Sequence, residues 1–170
     1  MKSTSAAMRK ILCRDDLVRQ LAIWRMKDKK IVFTNGVFDI LHEGHLASLN
    51  EAAACGDILI VGLNDDESVN RLKGPLRPVN SEHARATMLA NLLMTDAVVI
   101  FTEDTPLELI RSITPDVLVK GGDYTVDQIA GAKEVLAAGG EVKLAGMVPN
   151  ISTTSIIEKT SSNAHKSQGN

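Results

Sequence analysis

Ile31-Val32-Phe33-Thr34-Asn35-Gly36-Val37-Phe38-Asp39-Ile40-Leu41-His42-Glu43-Gly44-His45 joins a β-branched run to the Ala/Leu-rich stretch from Leu46 to Ala54. A strand that turns into a helix through a polar loop is a natural phosphate site, because the helix N-terminus offers free N–H donors and the positive end of the helix dipole. His42 and His45 are three apart, so both project from one face of the first helical turn. Gly36 and Gly44 let a ligand approach the backbone closely.

Outward from this stretch, apolar runs and helical patterns alternate. Leu17, Val18, Leu21, Ile23 and Trp24 mark one face of a helix over 14–27 that packs on the sheet. Strands are expected over 30–34, 58–63, 97–101, 116–119 and 141–144, with helices over 43–55, 66–72, 83–93, 105–113, 126–138 and from Ser152 to about 159. Asn64-Asp65-Asp66 and Ser81 read as N-caps, Gly56 and Gly139-Gly140 as helix stops, and Pro115 forbids helix beyond Thr114. Gly74, Pro75 and Pro78 make a loop. Strand-helix alternation implies an α/β fold, with a doubly wound parallel sheet of five strands covered on both faces. Ligands of such sheets bind beyond the carboxyl ends of the strands, where the strand order reverses.

Composition sets the outer bounds. The 170 residues, 44% of them hydrophobic, suffice for one ordinary globular core. A net charge of -2 gives no electrostatic reason to bind nucleic acid or an anionic membrane. The first residues lack an apolar segment and no apolar run nears ~18 residues, so a cytoplasmic protein is expected. Cys13 and Cys55 match neither a metal-knuckle spacing nor a disulfide framework, and each reads as a small buried or half-buried hydrophobe. The expected division is an N-terminal segment with one packed helix (1–29), a single domain (30–160) and a disordered polar tail (161–170).

The loop reads as G-x-F-D-x-x-H-x-G-H and resembles the signature of the cytidylyltransferase-like nucleotidyltransferases, enzymes of Rossmann-like fold that join a nucleoside triphosphate to a phosphorylated alcohol or sugar and release pyrophosphate. Arg71-Leu72-Lys73-Gly74, Arg77-Pro78-Val79-Asn80, Val119-Lys120-Gly121-Gly122-Asp123-Tyr124 and Ser152-Thr153-Thr154 are similar to one branch, the D-glycero-β-D-manno-heptose 1-phosphate adenylyltransferases, often the second half of a bifunctional kinase/adenylyltransferase. The similarity runs from about 30 to 159, and no kinase half is seen. Val37 stands where that branch commonly has cysteine, an exchange of small apolar groups that leaves the chemistry alone.

The resemblance implies strand order 3-2-1-4-5, which sets the signature loop beside 120–124. It further implies ATP and a sugar 1-phosphate as substrates, ADP-heptose for lipopolysaccharide core as the product's destination, and Mg²⁺ bound mainly through the triphosphate. A homodimer is common among relatives, and the sequence does not fix the assembly. His42, His45 and Lys120 are then the catalytic candidates. Thr34, Asn35, Gly36, Val37, Phe38, Asp39 and Gly44 from the signature, with Gly121, Gly122, Asp123 and Tyr124, are expected at the nucleotide, as are Ser152, Thr153 and Thr154. Lys73, Arg77 and Arg85 are expected at the substrate phosphate.

Each has a plainer alternative. Two histidines three apart could form a zinc pair, yet no third ligand has suitable spacing and the i,i+4 spacing of a metalloprotease helix is absent, so no protein metal ligand is assigned. Lys73, Arg77 and Lys120 are also consistent with solvated charges, Arg85 with a partner for Glu82, and Ser152 with a simple N-cap. Asp39 fits a role in orienting the loop or a histidine. Nothing in the residues alone selects adenine over cytosine. A cytidylyltransferase for a polyol phosphate such as glycerol 3-phosphate, and a non-catalytic nucleotide-binding module, both remain open.

Overall fold

The computed structural model describes residues 5–122, 124–146, 153–154 and 156–157. Five parallel strands form one sheet in the order β3-β2-β1-β4-β5: β1 (Ile31–Gly36), β2 (Ile58–Asn64), β3 (Ala97–Phe101), β4 (Val117–Gly121) and β5 (Glu141–Ala145). The strand order implied by the resemblance is the order observed. Helices α1 (Ser5–Met8), α2 (Arg14–Met26), α3 (Glu43–Ala53), α4 (Asp66–Lys73), α5 (Glu82–Ala90), α6 (Leu107–Ile113) and α7 (Ala132–Ala137) complete the described elements, with a 3₁₀ turn at Val126–Gln128.

Alternation along the strands explains why both faces are covered. Ile31 and Phe33 of β1 join Leu17 and Leu21 of α2 and Leu109, Ile110 and Ile113 of α6 in one core, whereas Val32 faces Leu49 and Ala52 of α3 and Ala86 and Leu89 of α5 in the other. Carboxylates fix the strand starts: Asp116 accepts the Ile31 N–H at 2.7 Å and Asp96 accepts the Leu59 N–H at 2.8 Å.

The sheet opens where the site must lie. β1 pairs with β2 along its whole length, but with β4 only at Val32↔Val117 and Phe33↔Leu118. Beyond Phe33 the two central strands part, and their ends flank a crevice at the point where the strand order reverses.

Several local expectations change. The helix expected over 126–138 is broken into the 3₁₀ turn and α7 by Gly131, whose φ of +85° is left-handed and where a Cβ would sit 2.5 Å from the Ile110 Cδ1. Helix α5 ends at Ala90, capped by Asn91, rather than running to Leu93. β1 extends past Thr34 to Gly36, which carries the signature loop deeper into the sheet. On α2 only Leu17 and Leu21 are buried, while Val18 and Ile23 are exposed, so the apolar face is narrower than its sequence suggests. Cys13 is exposed rather than buried, its thiol donating to Asp16. Upstream of α2, Ile11 forms an isolated parallel bridge with Val98 of β3, an attachment without a sequence signal. The expected cap at Ser152 and tail over 161–170 fall outside the described residues, and of the last helix only 153–154 and 156–157 are described as helical.

Candidate active site

A cavity of about 640 Å³ lies at the carboxyl ends of β1 and β4. Its walls include the signature residues 34–39 with His42, Gly44 and His45 on one side, and Lys120, Gly121, Gly122 and Tyr124 on another. Lys73 and Arg77 reach it from the loop side, and Thr153 and Thr154 from the chain's far end. The Thr153 hydroxyl donates to the Ile40 carbonyl at 3.4 Å, joining that end to the signature loop. Asp123 and Ser152 lie outside the described residues.

His42 is the N-cap of α3, with extended backbone (φ −142°, ψ 170°) and no capping bond from its side chain. The ring is therefore free of the usual capping duty and stacks on His45, with centroids 3.8 Å apart and planes 23° from parallel. Phe38 meets the other side of His45 edge-on at 5.2 Å. The Nδ1 atoms of both histidines are buried without a hydrogen-bond partner among the described residues. Burial, then the neighbouring His42, pulls the His45 pKa down to about 4, with the Ile40 backbone opposing in part; burial also lowers His42, against the pull of the Glu43 carboxylate. Two neutral rings at a helix N-terminus can take up protons when a phosphate arrives, since a nearby anion favours the charged form.

Lys120 crosses the gap between the parted strands. Its Nζ donates to the Asn35 carbonyl at 3.2 Å and to the Asn35 Oδ1 at 3.3 Å, and lies 5.6 Å from the Tyr124 ring centroid. Burial, with the charge of Lys73 second, lowers its pKa to about 8. Helix α3 approaches β4 closely here: a Cβ on Gly121 would stand 2.9 Å from the Ser48 Oγ, one turn after His45. Gly122 follows at φ +115°, a conformation for which glycine is needed.

Two charged residues assigned from sequence to the ligands spend their side-chain bonds on the protein itself. Asp39 is 1% exposed, and its carboxylate accepts from the Arg77 Nε at 2.7 Å, the Val79 N–H at 2.8 Å and the Asn80 N–H at 2.9 Å. Burial alone would raise its pKa, but the Asn80 and Val79 N–H groups and Arg77 together hold it below the usual carboxylate value. Its side chain thus fastens the 77–80 loop to the signature, in keeping with the loop-orienting role read from sequence. Arg77, whose Nε is held this way, still lines the cavity.

Arg85 corrects the sequence reading more sharply. It is completely buried away from the cavity, and Nε, Nη1 and Nη2 donate to the Asn80 carbonyl (3.0 Å), the Val37 carbonyl (2.6 Å) and the Asp66 carboxylate (2.7 Å). A guanidinium so occupied does not reach a substrate phosphate. Nor does it pair with Glu82, whose carboxylate accepts the Asp66 N–H.

The sequence reading missed the cavity's β2 and β3 side. Asn64 ends β2, and Asp104, Thr105 and Pro106 follow β3. Arg71 anchors this loop, its Nε donating to Asp104 at 2.8 Å. The signal was the position itself: in a parallel sheet every loop after a strand's carboxyl end is a candidate.

A doubly wound parallel sheet whose parted central strands present paired histidines, a helix N-terminus and a half-buried lysine defines a Rossmann-like phosphate-binding protein. A model of the cytidylyltransferase-like family matches residues 33–163, and the chain belongs to that family. It is 54% identical over 151 residues to the bifunctional protein HldE of Ectopseudomonas mendocina, covering 89% of this chain and 32% of that protein. To the bifunctional protein HldE of Koribacter versatilis it is 50% identical over 158 residues, covering 93% and 32%. The chain thus spans about a third of the length of these curated relatives. Among solved structures, the lipopolysaccharide core biosynthesis protein of Thermoplasma volcanium superposes with a TM-score of 0.57 at 28% identity, covering 71% of this chain and 97% of that one.

Proposed function

We propose that the chain catalyses adenylyl transfer from ATP to D-glycero-β-D-manno-heptose 1-phosphate, giving ADP-heptose and pyrophosphate for bacterial lipopolysaccharide core, as an enzyme of the cytoplasm. One juxtaposition supports this above all: the stacked His42/His45 pair at the start of α3 and Lys120 at the end of β4 share one cavity. The HldE relatives and the named core biosynthesis protein support the choice of sugar and pathway. No described helix is long and apolar enough to cross a membrane.

On this reading an oxygen of the sugar 1-phosphate attacks the α-phosphorus, forming the new P–O bond as the bond to the β-phosphate oxygen breaks and pyrophosphate leaves. That oxygen is already anionic near neutrality, because the second phosphate ionisation lies near pH ~6, so no general base is required. The protein's work is to position and to neutralise. Lys120 and the first-turn N–H groups of α3 hold the triphosphate, while His42 and His45 donate to oxygens that gain charge as the bond breaks. Lys73 and Arg77 are suited to the sugar phosphate. Among the described residues no three His, Cys, Asp or Glu side chains are grouped to hold a metal, and Asp39 is occupied by three N–H donors. Mg²⁺ would enter mainly on the nucleotide and would supply charge neutralisation on the leaving group.

The test is pyrophosphate release across a panel of ATP and CTP with heptose 1-phosphate and glycerol 3-phosphate. ATP with heptose 1-phosphate is expected to be the fastest pair. A strong preference for CTP with glycerol 3-phosphate would overturn the assignment.

A further inference from the structure

Arg85 is buried in a place where burying a cation is costly, and it has no contact with the cavity. What it does touch is specific. Its Nη1 donates at 2.6 Å to the carbonyl of Val37, the residue before Phe38, and its Nε donates at 3.0 Å to the carbonyl of Asn80. Asp66 neutralises the remaining nitrogen at 2.7 Å. Phe38 itself has φ +47°, a left-handed conformation that a bulky aromatic side chain adopts only when its surroundings hold it there. On its other flank, Asp39 is held by the same 77–80 loop through the Val79 and Asn80 N–H groups. The strained residue is therefore fixed from both sides.

The Val37–Phe38 peptide is planar and trans, so its C=O and N–H point in opposite directions. With the carbonyl drawn into the interior by Arg85, the Phe38 N–H faces the other way, where Val37 and Phe38 line the cavity. We propose that Arg85 is a positioning residue: by holding the Val37 carbonyl it aims the Phe38 N–H at a phosphate of the bound nucleotide. The inference builds on the nucleotide-binding reading of the cavity but not on the identity of the sugar. A lysine in its place keeps the charge but lacks the planar fork that serves three acceptors at once.

The test follows the Phe38 amide by NMR in ¹⁵N-labelled protein as MgATP is added, with thermal melting and pyrophosphate release on the same samples. In the wild type the Phe38 amide proton is expected to move strongly downfield. In Arg85→Lys that shift is expected to be lost, with a folded melting transition retained, ATP affinity weakened by about tenfold and turnover reduced by about 10²-fold. Should Arg85→Lys fail to fold, Asp66→Asn decides, because it keeps the side chain's shape and an acceptor oxygen at a partly exposed position while weakening the hold on the guanidinium: a weakened Phe38 shift with reduced turnover is expected. A wild-type shift in the folded variant, or no shift in the wild type, overturns the proposal. Failure of the sugar assignment would show separately, as absent turnover with heptose 1-phosphate while the Phe38 shift with MgATP persists.

Discussion

The His42 and His45 rings lie face to face with centroids 3.8 Å apart, close enough that a proton on one opposes a proton on the other. In the free protein the pair is held neutral at pH 7, with His45 at about 4. An incoming triphosphate reverses this preference, because anionic oxygens favour the charged rings. Binding is therefore expected to take up protons near neutrality and to tighten as pH falls from 7 to 6. Calorimetry in buffers of different ionisation enthalpy reads the uptake directly; binding without proton uptake would contradict it.

The same depressed value has a consequence for stability. A histidine whose folded pKa lies below its unfolded one costs nothing above pH ~6.5 and progressively destabilises the fold as pH drops toward 4. Thermal melting of the wild type is expected to fall across that window more steeply than melting of His45→Ala. Parallel curves for the two proteins would show that His45 is not the group responsible.

Lys120 titrates at the other end of the scale. With its pKa at about 8, the charged form is lost from the free protein above that pH, and kcat/KM is expected to fall there about tenfold per pH unit. Stability should move the opposite way, rising as pH goes from 8 toward 10.5, because the unfolded chain binds the proton more tightly in that window. Lys120→Met keeps the aliphatic stem and removes the charge, so the fold should persist, nucleotide affinity should fall, and both pH dependences should disappear. Unchanged steady-state constants would confine Lys120 to its structural contact with Asn35.

Asp39 should behave as structure before chemistry. Asp39→Asn keeps an oxygen that can accept the Val79 and Asn80 N–H groups but turns its Nδ2 donor toward the Arg77 Nε, so Arg77 loses its carboxylate, a loss of about 3 kcal/mol for a buried pair broken on one side. Denaturant unfolding measures it, and a change below about 0.5 kcal/mol would mean that the 77–80 loop is held by other contacts.

Much of the fold is legible in the residues themselves. The β-branched run, the signature loop and the Ala/Leu-rich helix locate β1 and α3, because periodicity and turn residues are local properties. That Lys120 should face Asn35 requires the strand order, which no local pattern contains and which the resemblance supplies. Arg85 misleads for a physical reason: a charged residue near a motif reads as a ligand contact, whereas here its guanidinium is consumed by two backbone carbonyls and the Asp66 carboxylate. Asp104 and Thr105 escape a reading that applies the rule of ligands at strand ends to β1 and β4 and not to β3. Gly131 lies within an otherwise helical pattern, and its left-handed φ depends on packing against Ile110 that sequence does not display.

If the histidine pair stabilises the charge that develops as pyrophosphate leaves, the turnover of His45→Ala must reveal it. Pyrophosphate release is measured at saturating MgATP and heptose 1-phosphate, alongside ATP binding by calorimetry and melting of the same sample. A donor that acts mainly in the transition state shows its loss in kcat, typically by about 10²–10³-fold. His45→Ala is predicted to melt as a folded protein, to bind ATP measurably and to lose turnover by that factor, with His42→Ala similar. Full turnover in a folded His45→Ala protein would refute the role assigned to the pair.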